Sequence, residues 1–79
     1  MTRDDIVKRL TEIFEDVFQE DQVAIRDDMT ADDLEKWDSL NHVNMILEVE
    51  DVFGFRFGVG QASQIKNVGE LISLIQESV

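Results

Sequence analysis

Apolar residues recur at helical spacing in three stretches of the chain, and the polar intervals before them carry the residues that cap helix ends. In the first, Ile6, Val7, Leu10, Ile13, Phe14, Val17 and Phe18 follow Thr2-Arg3-Asp4-Asp5, a capping-box pattern. This predicts an amphipathic helix over about residues 3–19, supported by Asp4 with Lys8 and Asp5 with Arg9 at i,i+4. The last stretch, Val68, Leu71, Ile72, Leu74, Ile75 and Val79, follows Asn67-Val68-Gly69-Glu70, an N-cap with a glutamate three residues on. The middle stretch runs from Asp38 to about Phe53. At about 100° per residue, Met45, Ile46, Val49, Val52 and Phe53 gather on one side and are expected to face the core. Leu40, Val43 and Leu47 fall elsewhere, bordering a polar arc of Asn41, Asn44, Glu48 and Asp51. Periodicity leaves two readings of these three side chains open, a docking surface or part of a broad core.

The connections carry less pattern. Residues Glu20 to Trp37 form a long loop, with Val23, Ile25, Met29, Leu34 and Trp37 spaced as anchors to a core. Within it, Thr30-Ala31-Asp32-Asp33 is placed to cap one helical turn through Leu34. Gly54-Phe55-Arg56-Phe57-Gly58 alternates like a strand, but with two glycines and no pairing partner it reads as a loop with buried phenylalanines. Gln61 to Ile65 is expected to form a short third helix. The sum is an all-α fold in a single domain, 1–79: a small four-helix bundle with three main helices, a short third helix and a long first loop.

Charge changes the picture most. Eighteen acidic residues against seven basic ones give a net −11, a field that repels phosphate backbones and anionic membranes and attracts basic partners. Nucleic-acid and membrane partners are therefore not expected. No apolar run approaches membrane-spanning length, and Met1-Thr2-Arg3-Asp4-Asp5 has no signal-peptide core, which points to the cytoplasm. With no cysteine, the chain has no thiol of its own for nucleophilic, redox or metal chemistry. Asp27, Asp28, Asp32, Asp33 and Glu35 lack the ligand order of a calcium loop. Asp38 and His42, one turn apart, lack a third ligand, so no metal site is expected. Gly58-Val59-Gly60-Gln61-Ala62-Ser63 has too little chain after it for a dinucleotide fold. No nucleophile–base pair or acidic dyad suggests catalysis.

The chemistry concentrates at Trp37-Asp38-Ser39-Leu40, where the loop gives way to the middle helix. Asp38 is a good N-cap, able to accept a backbone N–H from Leu40 or Asn41. Ser39 then lies in the first turn, its hydroxyl pointing outward beside unpaired backbone donors, a position suited to a phosphate.

Asp38-Ser39-Leu40 and the helix after it, through Gly54, in a short acidic chain, resemble the second helix of acyl carrier proteins. The resemblance covers nearly the whole chain, long first loop included. It implies a non-catalytic carrier whose Ser39 bears 4′-phosphopantetheine, taken from coenzyme A, with Asp38 and Leu40 completing the attachment motif. It implies a phosphopantetheinyl transferase and acyl-handling synthases, ligases or transferases with basic docking surfaces as partners of a monomeric protein. Leu40, Val43, Leu47, Glu48 and Asp51 become candidate docking residues. His42, whose helical angle turns it toward the core near Ser39, is expected at the mouth of an acyl cavity, with Ile46 and Val49 as further pocket candidates. The chain departs from common fatty-acid carriers at Asn41 and Asn44, where these have acids, and in residues 58–64, which carry no charge. That suggests a specialised carrier. Asp38 favours the acyl type over peptidyl carriers, which have glycine there; aminoacyl and D-alanyl carriers share the aspartate. An unmodified acidic helical adaptor, binding through Leu40, Val43 and Leu47, is the competing reading from a different class.

Overall fold

The computed structural model describes residues 1–58 and 60–79; Val59, in the glycine motif set aside above, lies outside them. Three α-helices, α1 (Arg3–Val17), α2 (Ser39–Phe53) and α3 (Val68–Ser78), alternate with two single 3-10 turns, Ala31–Asp33 and Ala62–Gln64. The described residues contain no strand. The short third helix of the expected bundle is therefore one 3-10 turn, and the fold has three helices proper.

Local chemistry sets the helix starts. Thr2 and Asp5 form the reciprocal capping box, with Asp5 N donating to Thr2 Oγ1 at 3.1 Å and Thr2 N to Asp5 Oδ2 at 3.4 Å. The same device recurs at Thr30 and Asp33, fixing the first 3-10 turn. Asp38 and Asn67 cap α2 and α3 by accepting from Asn41 N and Glu70 N, each at 2.8 Å. α2 stops at Gly54, whose φ of 73° is the left-handed conformation that glycine adopts without strain. The loop beyond is tied back, because Phe57 N donates to the Glu50 carboxylate at 2.9 Å.

Each helix sends four side chains to one core. α1 gives Ile6, Leu10, Ile13 and Phe14; α2 gives Met45, Ile46, Val49 and Phe53; α3 gives Val68, Leu71, Ile72 and Ile75. α1 packs against both other helices. The long loop is packed as its anchors predict: Met29 and Trp37 are buried, and Val23, Ile25 and Leu34 lie against the core. It is also hydrogen-bonded to α3, since Val68 N donates to Met29 O and Gly69 N to Asp27 O, both at 2.9 Å. These bonds use helix-end amides that have no acceptor within their own helix.

Three expectations are corrected. Val52 is 36 % exposed and not a core residue. It lies about 75° from the middle of the buried arc at about 100° per residue, beside Arg9, Glu12 and Asp16 of α1. Phe55 and Phe57 are half-buried, packed edge to face with centroids 4.9 Å apart on the rim of the core. The ion pairs among the described residues are Arg3–Asp27, Arg26–Asp28 and Arg26–Asp33, all involving the long loop and none within α1. Asp5 is already engaged with Thr2.

Candidate functional site

Ser39 is the first residue of α2 and is exposed. Its presentation depends on the corner just before it. Asp38 is extended (φ −100°, ψ −176°), its carboxylate holds Asn41 N, and its carbonyl accepts His42 N at 2.8 Å to start the helix. Asn41 closes the corner from the other side by donating Nδ2 to Lys36 O at 2.8 Å. The asparagine that reads as a missing acid thus has a structural task, fixing the chain as it enters Ser39. The amides of Ser39 and Leu40 remain at the helix end without an intrahelical acceptor, beside the serine hydroxyl. An anion esterified at this oxygen would meet those amides and the positive end of the helix dipole.

Behind the corner stands an array of rings. Trp37 is 6 % exposed and stacks on Phe18 (5.5 Å, 29°), with Phe14 edge-on at 5.3 Å. On its outer edge it meets His42 edge to edge, with ring centroids 6.2 Å apart and planes 10° apart. Indole Nε1 donates to His42 Nδ1 at 3.0 Å. An indole N–H can only donate, so the neutral imidazole carries its proton on Nε2, which lies 3.0 Å from Ala62 O and donates to it. His42 therefore ties the head of α2 to the second 3-10 turn. Sequence spacing offers no signal for this hydrogen-bonded pair five residues apart, because it arises from the chain turning at Asp38.

Ser39, Asp38, Trp37 and His42 line a surface cleft of about 440 Å³ together with Ser63, Ile65 and Ala31. Of the three residues named for an acyl pocket, His42 reaches this cleft. Ile46 and Val49 sit in the core, 8 and 0 % exposed.

Leu40, Val43 and Leu47 are 71, 54 and 56 % exposed, which removes the broad-core reading of these side chains. At about 100° per residue, Asp51 shares their arc. Glu48 is turned away, half-buried in a groove with Arg9, Glu12 and Asp16. Glu50 is committed to Phe57 N. Arg56, together with Leu47 and Asp51, borders a cleft at the far end of the helix, so the stripe ends on one charge of each sign. The five docking candidates are thus four on one face and one beside α1. Among the described residues no group of three or more acids and histidines is arranged to hold a metal ion.

Comparison with known proteins finds the same family by sequence and by structure. A family model for the phosphopantetheine attachment site matches residues 8–75. The acyl carrier protein of Coprothermobacter proteolyticus is 33 % identical over 81 residues, spanning 100 % of this chain and 96 % of its own. That of Lactobacillus acidophilus is 31 % identical over 77 residues, spanning 96 and 95 %. The solution structure of a holo acyl carrier protein from Geobacter metallireducens superposes with a TM-score of 0.82 at 35 % identity, covering 90 % of this chain and 82 % of that one.

Proposed function

This chain belongs to the acyl carrier protein family, a family of non-catalytic carriers with a phosphopantetheine prosthetic group, and on that premise we propose that Ser39 is its attachment point. The protein then holds acyl groups as thioesters and delivers them to enzymes of fatty-acid, polyketide or related biosynthesis. The observation that carries the reading is an exposed serine at the first position of α2, directly after the Asp38 cap. When bound, the arm supplies the thiol that the chain, with no cysteine, lacks. Asp38 and Asn41 fix the corner, and Ser39 Oγ would hold the phosphodiester at the amide-bearing end of α2.

Leu40, Val43 and Leu47 are the contact surface offered to a phosphopantetheinyl transferase and to acyl-handling enzymes, with Asp51 at its edge. The net charge of −11 draws basic partner surfaces toward it. Glu48 belongs to the steering field and not to the contact stripe. The exposed stripe by itself also suits an unmodified adaptor that binds a partner helix. Incubation with coenzyme A and a broad-specificity transferase separates the two. A carrier gains the mass of one phosphopantetheine and Ser39→Ala gains none; an unchanged wild-type mass leaves the adaptor.

A further inference from the structure

Resting on the carrier reading, we infer that His42 is a positioning residue for arm attachment, holding Ser39 through a clasp to Trp37 that closes only while its imidazole is neutral. Trp37 lies two residues before Ser39 and His42 three after it. The bond from indole Nε1 to His42 Nδ1, 3.0 Å long, therefore closes a loop over residues 37–42 with the serine inside. The two rings are within 10° of coplanar, so the indole N–H meets the in-plane lone pair that an unprotonated Nδ1 presents. Both ends of the clasp are anchored. The indole is 6 % exposed and packed on Phe14 and Phe18. His42 is fixed by its backbone N–H, which bonds Asp38 O at 2.8 Å, and by Nε2 on Ala62 O.

A second proton changes one side of this arrangement only. Nε2 already donates to Ala62 O, and an imidazolium does so more strongly. Nδ1, once protonated, becomes a donor facing another donor. The indole N–H cannot reverse its role, so the clasp must open and a buried N–H loses its acceptor. The groups around the ring leave this response to His42 itself. The first 3-10 turn brings Ala31 to the cleft, the second brings Ser63 and Ile65, and the indole is backed by Phe14 and Phe18, none of which titrates. Asp38 is the ionisable neighbour that lines the cleft, its carboxylate engaged by Asn41 N; carboxyl groups ordinarily titrate near about pH 4, below the range of imidazoles. An opened clasp leaves the corner to the Asp38 cap and the Asn41–Lys36 bond. A serine less firmly placed reaches the geometry of transfer less often.

The test uses the full chain, whose single tryptophan and single histidine give unambiguous signals. NMR follows the His42 ring protons and the nitrogen–nitrogen coupling across the Trp37–His42 hydrogen bond, which exists only while the bond does, between about pH 8 and about pH 5, where imidazoles gain a proton. In parallel, arm attachment from coenzyme A by one phosphopantetheinyl transferase is timed for wild type and for His42→Gln, whose amide can accept and donate but does not titrate. Dividing the two rates at each pH cancels the transferase's own titration. The inference predicts that the coupling vanishes with the midpoint of the His42 ring. It also predicts that the ratio of wild type to His42→Gln falls about fivefold across the range, equivalent to about 1 kcal/mol for one hydrogen bond. A coupling that survives while the ring titrates, a ring that stays neutral until the whole fold melts, or a flat rate ratio overturns it. Where His42→Gln does not fold, the wild-type NMR titration decides alone. An intact mass unchanged at every pH overturns the carrier reading instead, and the NMR titration still shows whether the clasp opens.

Discussion

Gly69→Ala sets two effects of opposite sign against each other. Helix propensity favours alanine by up to about 1 kcal/mol in a helix interior, and less at the second position of α3, where Gly69 sits. Against it stands a close approach. A Cβ at Gly69 would lie 3.0 Å from Asp27 O and 3.3 Å from both Asp27 Cβ and Asn67 Oδ1. Asp27 O is the acceptor of Gly69 N at 2.9 Å, and two residues on Met29 O accepts Val68 N at the same distance. Relief of the contact must push the loop from α3, weakening two hydrogen bonds of about 1 kcal/mol each and loosening Met29 from the core. The loop wins this balance. The variant is expected to lose about 1–2 kcal/mol, a fall in Tm of about 4–16 °C, read by the fluorescence of the single tryptophan, which lies on the same loop. A Tm above wild type would show that the loop yields freely, and the account of how it positions Trp37 and Ser39 would fail.

Asp38→Ala should lose about 1 kcal/mol through the Asn41 amide it no longer caps, or about 4–8 °C in Tm, whereas Asp38→Asn, still a good cap, should melt close to wild type; equal losses in both would refute capping as the cause. Val43→Ser and Leu47→Ser, on the exposed stripe, should change stability by no more than about 0.5 kcal/mol while lowering kcat/KM for arm attachment about tenfold, equivalent to about 1.4 kcal/mol. Unchanged kcat/KM would remove the stripe from the contact surface. Raising ionic strength from about 0.01 M to about 0.15 M shortens the screening length from about 30 to about 8 Å and should raise Tm by relieving repulsion in a chain of net charge −11. A Tm indifferent to both salt and divalent cations would argue against a dense acidic face.

The parts of this fold that are legible in the chain are those settled within four or five residues. The caps at Thr2, Asp38 and Asn67 are each a side chain reaching an amide three residues on, so spacing alone finds them. The core faces of α1 and α3 follow from a period that nothing nearby disturbs. Val52 misled because it lies at the edge of an arc whose width depends on how α1 crosses α2. The stripe of Leu40, Val43 and Leu47 stayed ambiguous for the same reason, since no period says where a neighbouring helix ends. The short helix expected over Gln61 to Ile65 shrank to a 3-10 turn, Ala62–Gln64, held from outside by His42 on Ala62 O. At the site, the corner at Asp38 and Ser39 was readable from residue type. The Trp37–His42 pair was not, because each residue looks ordinary until the chain turns between them.

Fragmentation mass spectrometry of the intact protein, purified from cells in which it is naturally made, tests the central claim most directly. The chain offers four serines, at positions 39, 63, 73 and 78. The account predicts one phosphopantetheine, confined to the fragment ions that contain Ser39. An arm on any other residue, or a bare Ser39 in cells whose other carriers are loaded, contradicts it.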